Sequence, residues 1–181
     1  MARILWIKLL VVLTILSSCS VDDDRPEPFV AEGILEINGN PYELKLGFIE
    51  NNGLYEEGIF KYEISLYTDI NPSENNNSTE NHLVSSVSFG LLSTDENMIT
   101  NDSYNFNSSV GLANTTSSGI VFENCDLESS QGGFDCEAIF LVSNGTVTIN
   151  ETEDFFDLEF SFNFIDGGSA EGFYVGRLYK N

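Results

Sequence analysis

The chain has 181 residues, of which 29 are acidic and seven basic, with one histidine and a formal net charge of −22. So negative a field repels nucleic acid and anionic headgroups, which removes both as partners and favours solubility. With one histidine and three cysteines, zinc sites of the usual His/Cys type are excluded by count.

The N-terminus reads as an export signal rather than as part of a fold. Arg3 and Lys8 supply positive charge, Leu9–Leu16 is an apolar run, and Leu16-Ser17-Ser18-Cys19 follows with small residues before the cysteine. The run falls well short of the ~20 residues that a spanning helix needs. Leu16-Ser17-Ser18-Cys19 resembles the lipobox of bacterial lipoproteins. That resemblance implies removal of residues 1–18 and acylation of Cys19, which would tie the protein to a membrane. An ordinary signal peptide cut near Ser18 or Ser20 is the alternative. Each buried methylene is worth roughly 0.8 kcal/mol, so a cysteine carrying two or three acyl chains anchors without help from a basic patch. Loss of the signal leaves five basic residues against 29 acidic ones, a net charge near −24.

Residues 19–29 then form the expected tether. Asp22-Asp23-Asp24 and Pro26-Glu27-Pro28 offer nothing to bury, so this stretch should be extended. An acidic run behind the lipidated cysteine also resembles the surface-export signal of Bacteroidetes lipoproteins. It implies an outer-membrane anchor and display on the cell surface, with a periplasm-facing anchor as the alternative.

From residue 30 to 181 a single β domain is expected. Asn38-Gly39-Asn40-Pro41 separates strands near 31–37 and 42–49, a hairpin pattern, and Asn51-Asn52-Gly53 should end the second of these. Leu44, Leu46 and Phe48 alternate with polar residues, as do Phe60, Tyr62, Ile64 and Leu66. Residues 71–81 and 93–103 read as exposed loops. Cys125 and Cys136 flank the Gly132-Gly133 turn and, in an oxidising compartment, should form a disulfide joining neighbouring strands; free thiols are the alternative. Asn144-Gly145 reads as a turn between strands at 140–142 and 147–149. Phe156, Leu158, Phe160, Phe162 and Phe164 mark a half-buried strand with an aromatic inner face. Asp166-Gly167-Gly168 then turns into the last strand.

The fold class is therefore all-β, with about nine strands in an antiparallel sandwich. The long middle loops suit crossings between two sheets; a lipocalin-like closed barrel is the alternative. The segments Gly33-Ile34-Leu35-Glu36-Ile37-Asn38-Gly39 and Gly172-Phe173-Tyr174-Val175-Gly176 are similar in rhythm to small flavobacterial-type Bacteroidetes lipoproteins. That likeness bears on fold and compartment and not on chemistry.

Catalytic signals are sparse. His82 stands alone beside an Asn-rich loop, and no Gly-x-Ser-x-Gly elbow, phosphate loop or dinucleotide fingerprint occurs, so no cofactor is expected. Acidic residues are too numerous to exclude a carboxylate pair; Asp154, Asp157 and Glu159 share one strand, the last two on its polar side. Asp95 and Asp166 are weak calcium candidates, because hard cations take oxygen ligands from loops. Tyr55, Tyr67 and Tyr174 would make a sugar-stacking platform if they were exposed together. The expected function is a non-catalytic binding module contacting a glycan or another envelope protein. A carboxylate-dependent glycoside hydrolase or other envelope hydrolase is the alternative. Substituting Cys19→Ala should abolish palmitate incorporation, leave the precursor unprocessed by the lipoprotein route and release the chain from the detergent phase on phase partitioning.

Overall fold

The computed structural model describes residues 31–68, 83–97, 99, 101–106, 112–126, 135–152 and 155–180. Residues 1–30, and with them Cys19 and the tether, lie outside the described residues, as do His82, Asp154 and the 71–81 loop.

The described chain is all-β, as its alternating pattern predicts. Eleven strands run in chain order as β1 (Glu32–Ile37), β2 (Asn40–Glu43), β3 (Leu46–Glu56), β4 (Ile59–Tyr67), β5 (Leu83–Ser93), β6 (Asp102–Phe106), β7 (Thr115–Asp126), β8 (Asp135–Thr152), β9 (Phe155–Phe164), β10 (Ser169–Gly176) and β11 (Leu178–Lys180). They form one sheet in the order β11-β3-β4-β5-β7-β6-β8-β9-β10-β1-β2, with a further β7–β8 pairing. Pairing is antiparallel except at β11–β3 and β6–β7.

The sheet is curled but open, a half-barrel, in place of the expected sandwich of about nine strands. Two features account for the difference. β5, the next described strand after β4, pairs directly with it, Tyr67 opposite Ser86, so no second sheet begins there. The edge strands β2 and β11 do not pair with each other, so the curl is not a closed barrel either.

Curling wraps the sheet around one core. Phe89 of β5 meets Phe160 and Phe162 of β9 at ring-centroid distances of 6.2 and 5.8 Å, although several strands separate them in the sheet. Such aromatic pairs add ~0.5–1.5 kcal/mol beyond their burial. Leu158, Phe160, Phe162 and Phe164 are all buried, so the Phe-rich stripe is core, as its period of two predicts. Tyr62, Ile64 and Leu66 likewise face inward.

Several local expectations are met. The β1–β2 hairpin closes through Asn38 and Gly39, both at positive φ (50° and 87°), which is the type I′ requirement. Gly167 and Gly168 turn β9 into β10. Cys125 and Cys136 stand opposite each other on β7 and β8 and are joined by a disulfide.

Others are corrected. Asn51-Asn52-Gly53 does not end its strand: β3 bulges there and continues to Glu56. Asn144-Gly145 lies inside β8, directly after a bulge at Ser143, and is not a turn between strands. At that point β8 passes from β7 to β6 as its neighbour, and a side chain at Gly145 would strike the Ser161 carbonyl. Leu44, Leu46 and Phe48 do not share an inner face. Leu44 is buried, but beyond it Gly47 and Ile49 point inward, because the alternation slips at Lys45.

That slip belongs to a seam. Up to Leu44 the chain pairs with β1, its N–H donating to the Gly33 carbonyl at 2.9 Å; one residue later the Lys45 N–H donates to Tyr67 of β4, also at 2.9 Å. The C-terminal end behaves alike, β10 pairing with β1 and β9 before β11 joins β3. Buried Tyr174 pins this second kink, its hydroxyl donating to the Arg177 carbonyl at 2.9 Å. Gly47 lies against both kinks: a Cβ there would meet Leu178 Cδ2 at 2.5 Å and Tyr174 Cζ at 3.1 Å. Gly47→Val should therefore overpack the seam and lower stability by about 1–3 kcal/mol, measured as a reduced urea midpoint at unchanged m-value.

Candidate functional site

The curl has two ends of different chemistry. At one, the Tyr42 hydroxyl of edge strand β2 donates to Glu123 Oε1 of β7 at 2.6 Å, beside the disulfide. Burial, then the Glu123 hydrogen bond and charge, push the Tyr42 hydroxyl up to about 12. Asn124 is held by its neighbours there, accepting from Ser85 Oγ at 3.4 Å and donating to Glu137 at 2.8 Å. At this end the described polar groups are paired with one another.

The other end is a mouth. A cavity of about 270 Å³ lies between β11, β3 and β4 on one side and β8 and β9 on the other, with the β5–β6 connection across it. Ile49, Ile99 and Phe156 give it apolar walls; Asn51, Tyr62, Glu151 and Lys180 supply polarity. Tyr62 belongs to the buried row of β4, and each of the other three extends an inward-facing row by one position. Glu151 follows Val147 and Ile149, Lys180 follows Leu178, and Asn51 follows Ile49. Where a row that points into the core ends on a polar residue, the sequence carries a signal for a polar mouth. Sequence reasoning missed it and singled out neither Glu151 nor Lys180.

Two of the polar groups are already engaged by the protein. The Tyr62 hydroxyl donates to the Asp95 carbonyl at 3.0 Å, and Asn51 Nδ2 donates to the Glu96 carbonyl at 2.8 Å. These bonds hold the β5–β6 connection over the cavity. Burial raises the Tyr62 pKa, helped by the charges of Asp95, Glu96 and Glu151.

Glu151 is different. Its backbone is bracketed by Asn101, whose amide donates to the Glu151 carbonyl at 3.1 Å and whose oxygen accepts from the Glu151 N–H at 2.6 Å. The Asn101 side chain thus continues the β6–β8 ladder for one more residue. The carboxylate, in contrast, has its Oε2 buried without a hydrogen-bond partner. Burial raises the Glu151 pKa, and the Lys180 charge partly offsets this. A buried acceptor left unsatisfied costs about 1–3 kcal/mol, so this oxygen is poised for a donor.

The sequence-predicted residues fare unevenly. Asp95 sits at the mouth, but its carboxylate accepts from the Asn97 N–H at 2.8 Å, capping its own turn. Asp166 follows the far end of β9, so the two calcium candidates are held apart by that strand. Among the described residues no group of three or more His, Cys, Asp or Glu is arranged to hold a metal ion. Asp157 and Glu159 face solvent, as expected of the polar side of β9. Tyr174 is fully buried while Tyr55 is exposed, so the tyrosines form no shared platform. A larger cavity, about 510 Å³, is an open groove on the outer face of β8, β9, β10 and β1. It sets Glu171 directly opposite Glu36, and its carboxylates are exposed or half-buried. No protein-family model, curated protein or solved structure matches the chain.

Because folding raises the Glu151 pKa, the folded chain holds this proton more tightly than the unfolded chain. The associated stability is present below the ordinary value of 4.5 and is lost as pH rises through the folded-state value. Urea titrations between about pH 4 and 7 should show wild type losing stability relative to Glu151→Gln as pH increases. A constant difference across that range would mean that Glu151 titrates as it does in the unfolded chain.

Proposed function

We propose that this protein is a non-catalytic binding module of the bacterial cell envelope, lipid-anchored through Cys19 and taking a small ligand at the mouth of its curled sheet. The observation that carries the reading is Glu151 Oε2, buried without a partner at a cavity with apolar walls. Ligand sites are of this kind: mostly apolar, with a few polar groups that orient the guest. The volume, below the roughly 300 Å³ at which drug-sized pockets begin, suits a small molecule or the end group of a glycan or envelope peptide. The lipobox-like Leu16-Ser17-Ser18-Cys19 and the acidic stretch behind it support an outer-membrane anchor, with the cell surface as the favoured side.

One observation favours a second reading, a carboxylate hydrolase. Glu96 and Glu151 line the same cavity, and Glu151 is shifted towards its protonated form as a general acid would be. Against it, the cavity is small for a glycosidic bond with sugar on both sides.

The two readings separate on one preparation. Full-length protein purified from membranes in detergent should bind members of a small-molecule library, detected by ligand-observed NMR, and Glu151→Gln and Phe156→Ala should each weaken those hits about tenfold or more. Binders indifferent to both substitutions would remove the mouth as the site. Turnover of a chromogenic glycoside that disappears with Glu151→Gln would establish the hydrolase instead.

A further inference from the structure

Glu151 and Lys180 carry opposite charges and line one cavity, yet no ion pair joins them; the ion pair formed among the described residues is Lys45–Glu43, at 3.5 Å on the surface. Their backbones are fixed from opposite sides. Asn101 brackets Glu151, while Lys180 is set by the parallel register of β11 on β3, opposite Ile49. Tyr62 and Asn51 are committed to the β5–β6 connection, and the third charged lining residue, Glu96, is exposed on that connection, so Glu151 and Lys180 are the two charges that the strands themselves present to a ligand.

From this we infer that the mouth is a zwitterion site, and that its ligand is a free α-amino acid with an apolar side chain. The ligand's ammonium would donate to Glu151 and its carboxylate would accept from Lys180. Its side chain would lie against Ile49, Ile99 and Phe156. The other charge types fit less well. A simple anion is repelled by a chain of net charge −22 and leaves Glu151 Oε2 without a donor. A simple cation meets Lys180. A neutral polar molecule leaves the buried Glu151 oxygen without a charged partner and gives the exposed Lys180 nothing to pair with. A zwitterion answers both and is indifferent to the long-range field. The proposal rests on the binding-module reading and assigns its ligand class.

The test is calorimetric or NMR titration of the full-length protein in detergent with L-leucine. N-acetyl-L-leucine, which lacks the cation, and L-leucinamide, which lacks the anion, should each bind about tenfold or more weakly than L-leucine. Glycine, lacking the apolar group, should also bind more weakly. Glu151→Gln should abolish the preference for L-leucine over its N-acetyl derivative. Lys180→Met should leave L-leucine and L-leucinamide binding alike, a gain of relative affinity that a misfolded variant would not produce. N-acetyl-L-leucine binding as tightly as L-leucine, or an unchanged leucine-to-leucinamide ratio in Lys180→Met, would overturn the assignment. If no amino acid binds but another compound does so through Glu151, the zwitterion assignment fails and the binding module stands. If nothing bound responds to Glu151→Gln, both fail.

Discussion

An open sheet must do something with the backbone groups on its two edges, and here the chain itself carries them round. At Leu44–Lys45 one strand leaves β1 and joins β4; at Arg177 another leaves β1 and β9 and joins β3. Both transfers run through the same place, where Gly47, Leu178 and Tyr174 are in contact. The covalent links bring the flanks of the sheet together without the edges having to pair. Residues from nearly every strand can then bury in one cluster, and Phe89 can reach the aromatic row of β9. Exposed edges are a template for unwanted strand addition. Short outer strands, four residues in β2 and three in β11, keep that hazard small.

Local periodicity made much of this legible. The inner row of β9, the inner row of β4 and the Asn38-Gly39 turn are written in adjacent residues, and each is found where the pattern puts it. The disulfide was legible too, because two cysteines 11 positions apart, with Gly132-Gly133 between them, fit a bridge across neighbouring strands. What escaped were features that depend on distant partners. Asn144-Gly145 has the composition of a turn, yet a positive-φ residue serves equally where one long strand must bend between two neighbours. The phase slip at Lys45 is invisible locally, since its cause is the Tyr67 carbonyl on another strand. The choice between two sheets and one turned on which strand follows a long loop, and polar loop residues do not encode that.

The mouth was hidden for a related reason. Glu151 and Lys180 come from strands far apart in sequence, and nothing near either one refers to the other. Only the curl of the sheet places them around one space. Their opposite charge is the least expected feature of the molecule. In a chain with four times as many acidic as basic residues, a lysine at the rim of the interior departs from the average field, and it tempers the carboxylate that would otherwise dominate.

β1 has a mechanical consequence in the proposed tethered protein. It is the first described strand, the one through which any pull from an N-terminal anchor enters the folded chain. It is not an edge: β10 holds it along six residue pairs and β2 along four. A tug directed along the strand loads both ladders together, so drag on the body is spread over many backbone bonds rather than peeling one at a time. The mouth lies in β11, β3, β4, β8 and β9, none of them carrying that load first. A chain held in this way from its N-terminal side would take the pull in β1 and β10 while the mouth keeps its shape.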